Sequence, residues 1–509
     1  MEINRVFARV LLYIATFCIP SIPLFGLYNN NRTENILFFN QIVLAGVVFS
    51  VIGLLIFFIF KLITSEEGAL LLTLLFWAVF WMYEALFGIV LRYFDSITYS
   101  GFLFLSLAVI VLAVVLLRKY NPPFSHARPF FNILSICAVL LLVVNVVPGV
   151  NEQRILVQAR GEHATTGDGV PFYFKQTFVV DPTAPMPNIY WLHVDGAMNL
   201  GTVERHWGED TDRFRQEFES RGFLIYEEAR LNAGNTWSAL PALLSPGFYD
   251  SFWGEQMANS TGFRNEKSRN FRAALANVGL TVDDMNENHE LFTALVARGY
   301  DIQIVGTLSG RVPRNIEQRA GLYTYVLTPW HRFIENTGDL TVLLSITSAL
   351  NFPAAAQRVE IGDTHLGHND SDVGTGNFVW TTFNYAHMYY GHRSVPGLPH
   401  TRTEDMHVYP TMFNFALTQA LDFIDATLEE NPDAIFVVQA DHGFHMPETQ
   451  RAMVRADYSP ELIDELMHSI FSAVRIPQSY GGLEAPLRPV NITRELVNRF
   501  VGENYTLLP

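Results

Sequence analysis

The chain has 509 residues, 49% hydrophobic and only 17% charged, with a mean hydropathy of +0.17 and a formal net charge of −16. That hydropathy is high for a soluble protein, and the acidic balance argues against nucleic acid as a partner, which rewards a basic surface. With only Cys18 and Cys137, both inside apolar runs, the remainder of the chain has no disulfide, no thiol chemistry and no Cys-based zinc site.

The apolar residues concentrate in five runs within the first 150 residues, at about 6–28, 36–63, 68–91, 101–118 and 129–149. Each is near or above the ~18–20 residues that a helix needs to cross a bilayer. The first run holds Pro20 and Pro23, has no small-residue cleavage site after it and precedes four more spans, so it is expected to stay as an uncleaved helix. With the N-terminus in the cytoplasm, the inner side carries Arg5, Arg9, Lys61, Arg118, Lys119 and Arg128, and the outer side only Arg32 and Arg92. The positive-inside rule therefore sets the C-terminal part outside the cytoplasm. Residues 1–150 hold 8 Lys/Arg against 6 Asp/Glu, whereas 151–509 hold 26 against 44, net −18. Such a charge suits solubility and cation binding. Glu84, in FWMYEALFG, is the one clear mid-span charge; it either snorkels near the outer interface or grips a lipid head group, with Trp77, Trp81 and Tyr83 as an interfacial belt.

A connector over 151–187 ends in Pro182, Pro185 and Pro187. NIYWLHVDG (188–196) then reads as a buried strand, apolar up to Asp195. Helical charge patterning follows at 203–221, a strand at GFLIYEE (222–228) and a short apolar helix at SALPALLS (238–245). HELFTALVARGYDIQIVGT (289–307) reads as helix, glycine stop and strand, and 411–443 repeats the pattern. Strands separated by helices predict an α/β domain with a mostly parallel sheet covered on both faces.

In such a sheet, ligands sit at the carboxyl ends of strands. Asp195 ends one predicted strand, and Asp441-His442 ends another within FVVQADHGFH. Two carboxylates and an imidazole suit a divalent cation, and Gly443 is expected to allow the turn that lets them converge. In LNAGNTWSALPALLS (231–245), Thr236 or Ser238 is either an ordinary N-cap or a nucleophilic hydroxyl at a helix N-terminus. Pro241, best tolerated in a first turn, favours a helix start nearer Leu240. NYAHMYYGHRSVPGLPHTRTEDMHVY (384–409) holds His387, His392, His400 and His407; His387 is expected near a strand end, and Arg393 with the histidines could neutralise charge on a phosphoryl group. The plainer reading of that stretch is a polar surface loop.

Taken in order, PNIYWLHVDG, RGFLIYEEARLNAGNTWSALPALLS, AHMYYGH, VVQADHG and the closing FSAVRIPQSYGGLEAPLRPVNITRELVNRFVG resemble the alkaline phosphatase/sulfatase superfamily over roughly 185–509. The resemblance is to its membrane-anchored branch, which includes lipoteichoic acid synthase and the phosphoethanolamine and phosphoglycerol transferases. It implies an alkaline-phosphatase-like domain (188–509) behind five transmembrane helices (1–150), in the cytoplasmic membrane with the catalytic domain outside. It implies one divalent cation (manganese, zinc, magnesium or calcium) held by Asp195, Thr236, Asp441 and His442. Thr236 becomes the nucleophile, His387 and His392 catalytic partners, and Arg393 and His445 substrate contacts. Its expected donor is a membrane phospholipid, its acceptor an envelope glycan or lipid; hydrolysis and a non-catalytic scaffold are the rival outcomes. The chain departs from the sulfatases, since Ser238-Ala239-Leu240 lacks the Cys/Ser-x-Pro-x-Arg setting, and from the disulfide-bearing transferases. Its GHRSVPG also differs from the family's histidine loop. Asp363, His365 and His368 are candidates for a second cation.

Overall fold

A computed structural model describes residues 2–30, 39–90, 99–120, 128–162, 174–231, 236–248, 279–280, 289–305, 376–387, 395, 406–444, 453 and 457–508, apart from 84, 85, 87, 88 and 176. The chain forms two compact units, one built on Met1–Glu162 with 268–279 and 327–358, the other on the rest.

The first unit is helical: α1 (Glu2–Cys18), α2 (Ile22–Asn30), α3 (Phe39–Lys61), α4 (Glu66–Trp81), α5 (Tyr99–Tyr120) and α6 (Arg128–Glu162). Pro20 and Pro23 interrupt the first apolar run, so α1 and α2 meet through a 3-10 turn at Ile19–Ser21. Gly53 lets α3 pass close to that turn, because a Cβ there would strike Pro20. Among the described residues, four helical stretches are long and apolar enough to cross a membrane: Arg9–Asn29, Phe39–Lys61, Gly101–Tyr120 and Pro129–Gly161. The expected span at 68–91 coincides with α4, which at 16 residues falls short by itself. Glu84 lies outside the described residues. Trp77 and Tyr83, expected in an interfacial belt, are buried in an aromatic cluster with Phe80 and Phe102 and so do not face outward. The apolar faces of α3, α5 and α6 point outward, as in Leu55, Val111 and Leu141.

The second unit is an α/β domain. Its strands are β1 (Ile189–Val194), β2 (Leu224–Ile225), β3 (Asp301–Val305), β4 (Asn377–Phe383), β5 (Ile435–Gln439) and β6 (Ser472–Arg475), in the order β2-β6-β5-β1-β4-β3. The sheet is mixed. β3, β4, β1 and β5 pair in parallel, while β6 runs antiparallel to both β5 and β2. Every residue of β1 and β5 is buried, which is why they read as continuous apolar runs. Adjacent residues of β1 face opposite layers. Tyr190 packs on Phe423 of α11 (Tyr409–Glu430), whereas Trp191 stacks on Trp380, which meets Phe292 of α10 (Glu290–Arg298).

The predicted helix over 203–221 is two helices, α7 (Leu200–Trp207) and α8 (Asp212–Ser220). Gly208 takes a left-handed conformation (φ 68°) and ends the first. The predicted strand at 222–228 shrinks to the two residues of β2. The helix after Asn235 is α9 (Thr236–Leu244), so it starts at Thr236 and not near Leu240, with Pro241 inside it. Two further helices, α12 (Pro460–His468) and α13 (Pro489–Phe500), complete the described layers. Thr493 of α13 donates to the Leu243 carbonyl of α9, and Ser245 accepts the backbone N–H of Glu290.

Candidate active site and metal centre

β4, β1 and β5 lie side by side and parallel, so their carboxyl ends open on one edge. Asp195 directly follows β1, Asp441 stands two residues past β5, and His387 four past β4. The β1 exit is fixed tightly. Its backbone returns to the sheet through Asp195 N–H to Phe383 O at 3.0 Å. Gly196 then takes φ 76°, and a side chain there would run into the His387 backbone. The Tyr409 hydroxyl donates to Gly196 O at 3.0 Å and accepts Met198 N–H at 2.8 Å.

The β5 exit is held differently from expectation. Gly443 is not in the left-handed region; it is glycine because the Leu466 carbonyl lies where a Cβ would stand. That close approach goes with two backbone bonds, Gly443 N–H to Met467 O (2.9 Å) and Phe444 N–H to Leu466 O (2.8 Å). Close packing against another segment, more than turn geometry, therefore aims Asp441 and His442.

Around His442 Nε2 three oxygens converge: Thr236 Oγ1 at 3.1 Å, Asp195 Oδ1 at 3.5 Å and Asp441 Oδ2 at 3.5 Å. His442 Nδ1 lies 2.8 Å from Gly443 O, a carbonyl that can only accept, so Nδ1 carries a proton, and in the neutral ring Nε2 presents a lone pair. A lone pair facing two carboxylate oxygens is unfavourable unless a positive charge stands between them. Asp195 Oδ1 and Asp441 Oδ2 are moreover buried without a hydrogen-bond partner. Ligands about 2.0–2.1 Å from a tetrahedral ion lie about 3.3–3.4 Å from one another. The donor set, its spacing and its unsatisfied oxygens thus fit a divalent cation. The Nδ1 bond to a carbonyl is also the usual way a ligating imidazole is oriented.

Electrostatics follow from burial. Asp441 is fully buried, which alone would raise its carboxyl, but His442, His193 and the Thr236 hydroxyl outweigh that and hold it well below the usual carboxylate range. Burial pushes the His387 imidazolium down, so that side chain rests neutral. Its ring lies 5.7 Å from that of His442.

Of the residues singled out in the sequence, Asp195, Thr236, Asp441 and His442 come together, and His387 joins them: Asp195, His387 and His442 form one buried group able to hold a cation. His392, Arg393, His400 and His445 lie outside the described residues, as do Asp363, His365 and His368. Thr236 is not an N-cap, since it is the first helical residue and its hydroxyl meets His442. His193 was not singled out; it forms a second buried group with Asp195 and Asp441. The signal was the strand period of two, which sets residues 193 and 195 on one face.

No family model matches the chain, and no curated protein matches it. Solved structures are similar at low identity. The integral membrane lipooligosaccharide phosphoethanolamine transferase A of Neisseria meningitidis is 11% identical, with a TM-score of 0.38, covering 98% of this chain and 92% of that one. The C-terminal periplasmic domain of EptC of Escherichia coli, in complex with zinc, is 11% identical, with a TM-score of 0.32 over 66% and 87% of the two chains. The lipoteichoic acid synthase LtaP of Listeria monocytogenes is 12% identical, with a TM-score of 0.31 over 69% and 78%.

Proposed function

We propose that this chain is a membrane-bound, metal-dependent phosphotransferase whose α/β unit works outside the cytoplasm, moving a phospholipid-derived head group to an envelope glycan or lipid acceptor. The observation that carries the reading is the convergence of Thr236 Oγ1, Asp195 Oδ1 and Asp441 Oδ2 on His442 Nε2, with both carboxylate oxygens otherwise unsatisfied. Asp195, Thr236, Asp441 and His442 would hold the cation. When bound, such an ion lowers the pKa of a coordinated hydroxyl and offsets phosphate charge.

The protein's own residues divide the remaining work. Thr236 Oγ attacks phosphorus, the bond from phosphorus to the lipid alcohol breaks, and a phospho-threonine forms. The hydroxyl proton ends on the departing alcohol, and His387, neutral through burial, is suited to carry it. An acceptor hydroxyl then displaces Thr236 and returns a proton by the same route. The start of α9 favours an anion there, because its first backbone N–H groups have no intrahelical partner. The apolar helices of the first unit bring the donor's membrane within reach of the chain.

The test is the full chain in liposomes with phospholipid labelled in its head group. Transfer of label to an acceptor, with a labelled Thr236 peptide trapped on acid quench, is the expected result. Release of label to water alone makes the protein a hydrolase, and retained turnover in Thr236→Ala removes the nucleophile assignment. Purified chain without bound metal or turnover is the outcome for a scaffold.

A further inference from the structure

Asp441 has two carboxylate oxygens with different neighbours. Oδ2 faces His442 Nε2, whereas Oδ1 accepts the His442 backbone N–H at 3.0 Å. On the Oδ1 side stands His193, with Nε2 at 3.2 Å. His193 is the penultimate residue of the central strand, 2% exposed, with its ring 5.3 Å from that of Trp380. Neither of its ring nitrogens meets hydrogen-bond geometry with a described residue; the contact it makes is the close pairing of Nε2 with Asp441 Oδ1. Gln439 sits beside it in register on β5 and is also buried.

An imidazole in this place is costly. Its neighbours along β1 are Leu192 and Val194, and an apolar side chain would pack without burying an unsatisfied N–H. What the imidazole adds is a polar nitrogen 3.2 Å from one oxygen of a carboxylate whose other oxygen belongs to the site. A carboxylate turns readily about its Cβ–Cγ bond unless a second group holds one oxygen. The His442 N–H supplies one such hold, but it comes from the same exit loop. His193 comes from the rigid centre of the sheet, paired on both sides in register with β4 and β5.

We propose that His193 is a positioning residue, acting from near the carboxyl end of β1 on Asp441 Oδ1 so that Oδ2 is presented to the divalent cation. It holds the ligand and does not bind the ion. This rests on reading Asp195, Asp441 and His442 as the cation site, and the controls below separate the two.

The experiment is zinc titration of the metal-stripped full chain in detergent, with thermal unfolding of each variant alongside. Asp441→Asn tests the site itself: undiminished zinc binding there overturns the site reading whatever His193 does. With that control passed, His193→Leu is expected to bind zinc about 10–100-fold more weakly, the usual effect of losing a group that orients a ligand. His193→Gln, which keeps an N–H donor, is expected to recover most of that loss at unchanged stoichiometry. Equal affinity in wild type and His193→Leu overturns the proposal, as does equal weakening in both variants. Two zinc ions in wild type and one in either variant also overturn it, making His193 a ligand. Should His193→Leu not fold, nitrogen-15 imidazole spectra of the cadmium-113-loaded wild type decide. A cadmium coupling at His442 with none at His193 supports the positioning role, and a coupling at His193 overturns it.

Discussion

The two halves of the site are built by different means. The strand-borne half, Asp195, Asp441 and His442, is buried and hung on backbone registry at the ends of β1 and β5. The helix-borne half is Thr236 at the start of α9, half-exposed, with α9 held at its far end by Thr493. The sheet half has nowhere to move, so its charges are preorganised, which is what binding and stabilising a charged group requires. The helix half is placed by tertiary packing of one short helix. On the proposed function, this pairs a rigid cation cradle with a nucleophile set by a separate part of the core.

The largest effects should separate the halves. Asp441→Asn should remove bound metal and turnover together, measured by elemental analysis and lipid turnover. Thr236→Ala should weaken metal binding less than Asp441→Asn, because three of the four proposed ligands remain, while turnover falls by roughly 10⁴-fold or more, as for loss of other nucleophiles. If both variants lose metal equally, the division fails. Next, Gly443→Ala should destabilise the α/β unit by about 3 kcal/mol, because its Cβ must displace the Leu466 carbonyl. Chemical denaturation measures this, and metal affinity should fall with it.

A pH effect tests the rigidity of the sheet's second layer. Burial lowers the His289 pKa from its ordinary 6.5 to about 3. Between those values the unfolded chain takes up a proton that the folded chain refuses. Stability from this residue is therefore complete above pH 6.5 and is lost as pH falls toward 3, at up to about 1.4 kcal/mol per pH unit. His289→Leu should flatten the dependence of the melting temperature on pH below 6.5; an unchanged slope rejects the assignment. The smallest effect should come from Thr493→Val. Loss of its bond to Leu243 costs about 1–2 kcal/mol and should lower turnover more than metal affinity, because it loosens α9 alone.

The readable part of the site was the part at strand ends. Asp195 and Asp441-His442 each break a long apolar run, and that abrupt polarity is a local signal. His193 is chemically as polar but stands inside the run, where the apolar neighbours masked it; only the two-residue period links it to Asp195. The role of Gly443 was not legible, because the reason lies at Leu466 in another segment. Direction along the sheet was equally hidden. Nothing local in FSAVRIPQ distinguishes an antiparallel β6 from a parallel one, since either buries the same residues. Thr236 was recognised by its surroundings, but the placement of Pro241 within α9 misled the expected helix start.

One feature of the topology reaches into biosynthesis. β1, which carries His193 and leads into Asp195, is central in the sheet, yet both strands that flank it, β4 and β5, are made much later. Until β5 and its exit loop leave the ribosome, β1 has an open edge and Asp195 lacks its companions. Pairings of this sequence separation are slow to form and leave an adhesive edge exposed meanwhile. The nascent chain therefore cannot assemble the proposed cation site early, and a product truncated before residue 435 carries neither a closed central sheet nor Asp441 and His442.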